Sequence, residues 1–244
     1  MKKGIKFFRI GIILFSFYAC DRTITETIRS YVLEYNDYDS IYLANTGSSN
    51  IGISWMGTTS YFGWSSKGRQ KTSYDSLCTV NRDMNYYKKI SYIGAPMYGY
   101  YFWGNISEIN ISSNVDFDST HPAGSKLNDL VRFISVSPDK FIQSGYKNYF
   151  DWDTNCPPSF KREAGMMNFI ETADENSRSH YPIDQILSEL KPSDMILTGF
   201  GDGRFIGYLL FESTPKKNKT HLFTITVKTT DGRQFTKSIN ETFK

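Results

Sequence analysis

The chain predicts a mainly β protein, an antiparallel β-sandwich of immunoglobulin-like or related type, and three observations carry that reading. Tyr and Phe number 17 and 18 among the 244 residues, and both favour half-buried pleated surfaces. Several short runs alternate apolar with polar residues, the period of a strand with one face covered. Helical patterns are few and short, one or two of them within an irregular insertion near 137–192.

The first segment is not part of that fold. Lys2, Lys3, Lys6 and Arg9 precede an apolar run from Ile10 to Phe17, too short for a bilayer span of roughly 20 apolar residues. It has the proportions of a signal peptide over residues 1–19. Ala19-Cys20 at its end resembles the lipobox of bacterial lipoproteins, in which the thiol is acylated, with palmitate for example, and the chain is cut just before it. That resemblance implies that Cys20 is the lipid attachment site and that residues 20–244 form a single β-rich domain. Such a domain is anchored in the cell envelope, at the outer membrane on either its periplasmic or its surface face. Acyl chains contribute about 0.8 kcal/mol per buried CH₂, so more than one makes a stable anchor.

All four early basic residues leave with the signal, and no acid does, which takes the formal charge from +3 to −1. No polybasic patch remains to suit nucleic acid. Beyond Cys20 only Cys78 and Cys156 are left. In an oxidising compartment they either pair as a disulfide or stay as separately buried thiols.

Next come two aromatic stretches, ISWMGTTSYFGWSSKG and MYGYYFWGNISE. Trp55, Trp64, Tyr98, Tyr101 and Trp103 lie among glycines and small polar residues. They either form a face that stacks on sugar rings or holds a peptide, or alternate into the sandwich core with their polar tips at its edge. Ile106 to Ile111 and Leu130 to Val136 then read as strands, joined by a polar link. In SPDKFIQSGY, Ser137 is placed to cap a helix, Pro138 sits in its first turn and Gly145 stops it. A second helix is expected from Pro182 to Leu190, ending before Pro192.

At the C-terminus, Met195 to Leu197, Phe205 to Phe211, and the runs either side of Asp231-Gly232 read as a four-stranded antiparallel meander. Asp-Gly suits a tight hairpin whose central residues tolerate φ > 0.

Motifs for chemistry are weak. His121, His180 and His221 share no metal-ligand spacing, and no G-x-S-x-G elbow supports a serine nucleophile. Ser137 and Lys140 have S-x-x-K spacing, but capping already explains the serine. GFGDG lacks the spacing of a dinucleotide fingerprint, and no cofactor is expected. Asp151, Asp153 and Asn155 alternate like the start of a calcium loop, without its glycine and terminal glutamate. Asp116 and Asp118 repeat the pattern, and either pair suits a hydrolase if it flanks a cleft.

One resemblance covers roughly half of residues 20–244. The strand Ile106–Ile111, Asp116-Phe117-Asp118, the link from Pro122 to Asp129 and the closing TDGRQFT together resemble a recurring segment of small uncharacterised Bacteroides-type lipoproteins, a domain of unknown function. The resemblance implies an envelope lipoprotein with a largely β fold and transfers no catalytic residue. The function expected is a non-enzymatic binding or accessory module for a glycan, peptide or envelope protein partner. The alternatives are a carboxylate-based hydrolase and an adhesive subunit that lends an edge strand to a neighbour.

Overall fold

The computed structural model describes residues 24–47, 50–57, 60–92, 100–171, 175–199 and 204–243. The signal segment, Cys20 and Tyr98 lie outside the described residues. No described helix is long and apolar enough to cross a membrane.

The fold is mainly β. Five antiparallel strands form the larger sheet, in the order β10 (Tyr181–Ile186), β9 (Val131–Ser137), β11 (Phe205–Phe211), β4 (Asn50–Met56) and β3 (Ser40–Asn45). A second antiparallel sheet, β13 (Gln234–Thr242), β12 (Thr220–Thr229) and β8 (Ile106–Ser113), packs against it. Between them lie Ile51, Ile53, Phe133 and Leu209 from one sheet and Ile109, Ile111, Phe223, Ile225 and Val227 from the other, all buried. One long side is closed where β13 lies along β3, with Asn45 Nδ2 donating to Asn240 O at 3.0 Å. The other side lies between the edge strands β10 and β8.

Two small sheets complete the strands: β1 (Ile24–Ile28) with β6 (Lys88–Tyr92), and β2 (Glu34–Asp37) between β5 (Ser60–Gly63) and β7 (Tyr100–Phe102). The β2–β7 pairing is parallel. Helix α1 (Arg69–Val80), for which the sequence offers no clear signal, sends Tyr74 and Cys78 into a second core with Val32, Tyr35, Tyr101 and Phe141. These two residues are four apart, so they share one helix face.

Between β9 and β10 lie α2 (Asp139–Gln143), α3 (Trp152–Asn155), α4 (Ala164–Glu171) and α5 (Glu175–Arg178). Trp152, Phe160 and Met166 cover the outer face of the large sheet against Ile134, Val136, Tyr208 and Leu210. Strands β9 and β11 are therefore buried on both faces, which explains why FISV and FIGYLLF are continuous apolar runs. Strand β12 is covered on one face only and keeps strict alternation.

Three local expectations change. The run after Pro182 is an edge strand, β10, because ladder bonds to β9 and burial of Ile183 outweigh its helix-like start; proline is tolerated at a sheet edge. Met195–Leu197 is a turn following the 3₁₀ turn Pro192–Asp194, with Leu197 at φ +49°. The meander is split, since β11 pairs with β4 and β9 while β12 pairs with β13 and β8 in the opposing sheet.

The β12–β13 hairpin is present, but only Gly232 takes positive φ, +89°. Gly232 N donates to Thr229 O and Thr229 N to Arg233 O, both at 3.0 Å, the three-residue loop with a bulge glycine. Ser137 Oγ does accept Asp139 N–H at 3.1 Å, but the N-cap of α2 is Pro138, so the helix starts one residue later than expected, and Gly145 follows its C-cap at φ +69°.

Candidate functional site

Among the described residues, the candidate aromatics Trp55, Trp64, Tyr101 and Trp103 do not assemble an open platform. Trp55 is 1% exposed, stacked on Phe102 with centroids 4.4 Å apart and set edge-on to Phe235 at 5.3 Å. Tyr101 is buried, and its hydroxyl meets His180 Nε2 at 2.6 Å. Trp103 is half-buried between the first and second cores, one face stacked on Phe62 at 5.3 Å. The Arg233 guanidinium also sits 5.1 Å from the Trp103 ring. Trp64 is half-buried against the second core. Trp55 on β4 and Tyr101 on β7 turn inward, and Trp64 and Trp103, just beyond β5 and β7, pack against the cores, where each ring contributes buried area.

The carboxylate pairs are occupied by local structure. Asp151 is the N-cap of α3, accepting Thr154 N–H at 3.2 Å. Asp153 and Asn155 follow within that single turn and are exposed. Residues two apart on a helix point away from each other, so these groups do not converge as calcium ligands would. Asp116 accepts Ala123 N–H at 2.9 Å. Asp118 accepts the N–H groups of Thr120 and His121 at 2.8 and 2.9 Å and also meets His121 Nδ1 at 2.9 Å. The Thr120 hydroxyl and then His121 hold the Asp118 carboxyl well below its usual range. Partial burial lowers the His121 pKa, but Asp118 and Asp129 outweigh it and raise it. Among the described residues, no group of three or more His, Cys, Asp or Glu is arranged to hold a metal.

Cys78 and Cys156 are both free. Cys78 is held on α1 inside the second core, and Cys156 follows α3 against the outer face of the large sheet. Burial pushes the Cys78 thiol up to about 11, against the opposing pull of Tyr74. Of the two alternatives, the structure has separate thiols.

Sequence reasoning missed two polar clusters that only the fold assembles. Tyr31 Oη lies 2.5 Å from Ser179 Oγ, which is 3.4 Å from His180 Nδ1, and His180 continues to Tyr101. A serine beside an imidazole is the pairing of nucleophile and base. Here Ser179 is 1% and His180 3% exposed, inside packed aromatic side chains, so this arrangement joins α5 to the second core. The other cluster surrounds Asp83, wholly buried, which accepts from Tyr31 N, Val32 N and Tyr146 Oη.

Among the described residues, one feature open to a ligand is a recess of about 290 Å³ at the side of the sandwich opposite the β3–β13 contact. It lies between β8 and residues 187–195, the segment that leaves β10 and crosses toward β8. Leu187, Leu190 and Met195 supply its apolar lining, while Ser107, Glu108, Asn110 and Lys126 supply polar groups. Its volume is at the small end of the roughly 300–1,000 Å³ typical of ligand pockets.

Asn128 fixes one wall. Its Oδ1 accepts Ile111 N–H at 3.1 Å, and its Nδ2 donates to Ile109 O and Asn110 Oδ1 at 2.9 and 3.2 Å. Glu108 pairs with Lys228 at 2.7 Å and Lys126 at 3.4 Å. Lys228, with Asn110 next, holds the Glu108 carboxyl down to about 2. The recess therefore carries a fixed anion with two cations beside it. A bulge opposite Lys228 and Thr229 makes Ser107 an extra residue of β8 at the recess. No protein-family model, curated protein or solved structure matches the chain.

Proposed function

We propose that this chain is a lipid-anchored, non-enzymatic binding or accessory module of a bacterial cell envelope, held at the outer membrane through acyl chains on Cys20. The observation that carries the binding role is the recess beside β8, where ionic, amide and hydroxyl groups converge above an aliphatic lining. Its carboxylate is tied to two lysines rather than poised as an acid or base. The serine–histidine contact elsewhere is enclosed in aromatic packing. The anchor rests on the basic, apolar and Ala19-Cys20 succession of the first 20 residues.

Metabolic labelling of wild type and Cys20→Ala with a fatty-acid probe tests the anchor. Label in the wild type alone supports it, and an unlabelled wild type refutes it. Protease treatment of intact cells then distinguishes a recess facing the medium from one facing the periplasm.

A further inference from the structure

We infer that the recess beside β8 captures the carboxylate end of an extended peptide, whose backbone continues the pairing at the free edge of that strand. The inference rests on the binding-module reading above. In an antiparallel strand, alternate residues direct both backbone groups to the same side. On the side of β8 away from β12, Ser113 O accepts Gly124 N–H at 2.8 Å and Ile111 O accepts Leu127 N–H at 2.9 Å. Residues 124–128 thus cover that edge as a short partner would, and the cover stops at Asn128, which takes Ile109 O. Ile109 is the next residue on the same side, so its N–H points along the uncovered edge into the recess, beside the bulged Ser107. Main-chain pairing of this kind supplies affinity for an extended peptide, and adjoining pockets supply selectivity.

Charge selects the peptide's end. Glu108 faces two lysines, Lys126 in the recess wall and Lys228 beside it, so this trio of side chains carries one cation in excess. Lys126 is 67% exposed and only 3.4 Å from Glu108, so its ammonium has donors to spare. The next acid along the chain, Asp129, is turned to His121 Nε2 at 3.1 Å. A terminal carboxylate complements that surplus, and partly buried Leu190, packed over the buried Leu187 and Met195, suits an aliphatic last side chain. No aromatic ring lines the recess to stack on a sugar. At about 290 Å³ the space takes only the last few residues of a peptide.

The probes are N-acetyl-Ala-Ala-Leu with a free carboxylate and the same peptide as its carboxamide, titrated into the full chain in detergent and followed by amide NMR shifts. The expected result is saturable shifts at Ile109 and Asn110, with the carboxamide about tenfold weaker, as loss of one charge-assisted bond implies. Lys126→Met, an exposed change, should bring binding of the acid down to that of the carboxamide. Leu190→Asn should weaken both peptides. Equal affinity for acid and amide, shifts mapping away from β8, or no saturable binding overturns the inference. Any of these leaves fatty-acid labelling at Cys20 intact, whereas loss of labelling refutes the anchor and leaves this titration standing.

Discussion

Asp83 sets burial against hydrogen bonding in a way that a pH series can decide. The carboxylate lies just beyond α1 and is 0% exposed. Its Oδ1 accepts Tyr31 N at 2.7 Å and Tyr146 Oη at 2.9 Å, and its Oδ2 accepts Val32 N at 2.7 Å. Around it are the phenols of Tyr35 and Tyr74 and the Cys78 thiol, groups that are neutral below pH 8. Burial raises the Asp83 pKa from 3.8 to about 6, although the three donors pull it down. A carboxyl whose pKa rises on folding stabilises the protein in its protonated form. That contribution is complete below the unfolded value and is lost as pH climbs through the folded one. A shift of about two units at 1.36 kcal/mol each makes the loss about 3 kcal/mol between pH 3 and pH 7.

Urea unfolding of wild type and Asp83→Asn across that range isolates the effect. Carboxyls with other shifts, such as Glu163 raised by burial and Asp231 lowered, are present in both proteins and cancel in the difference. Wild-type stability relative to the variant should fall by about 3 kcal/mol as pH rises. A flat difference would show that the three donors offset desolvation, and one that grows with pH that they outweigh it; either would refute the reasoning.

Glycine substitutions should separate crowding from backbone strain. A Cβ at Gly207 in β11 would meet Ile134 O and the Phe133 ring, each at 2.6 Å. Gly207→Ala should therefore cost about 3 kcal/mol in urea unfolding, the upper part of the overpacking range. Gly232→Ala meets nothing within 4 Å and should cost about 1 kcal/mol from its left-handed φ alone. Trp55→Ala empties the contact between Tyr38, Phe102 and Phe235; calorimetry should show a loss of about 3–5 kcal/mol. A small loss would mean that Trp55 is not in the core. With a thiol reagent on the native protein, half-buried Cys156 should react well before buried Cys78. A mobility shift on non-reducing gels that reductant abolishes would contradict the free thiols.

How much was legible depended on whether a signal was local. Residues 222–239 announced their hairpin because one face of β12 is open, so alternation survives in the sequence. Phe205–Phe211 was legible as a strand, but not its sheet, because burial on both faces erases the periodicity that would orient it. Pro182 and Pro192 mimic helix boundaries, and only pairing with β9 makes the residues up to Ile186 a strand. The recess draws on residues near 107–110, 126–128 and 187–195, which share no motif. His180 and Ser179 looked like loop residues until Tyr31 and Tyr101 enclosed them.

By itself, then, the sequence determined the β class, the strands with one covered face and the hairpin glycine, and it carries the expectation of an acylated Cys20. Only the tertiary structure decided that β11 and β12 belong to opposite sheets, that Trp55 and Tyr101 turn inward, and that Cys78 and Cys156 stay apart. It alone opens the recess beside β8. Periodicity and turn chemistry record how each residue's own backbone and faces are solvated. Partner choice is set by contacts between segments far apart in the chain, whose identity no local pattern encodes.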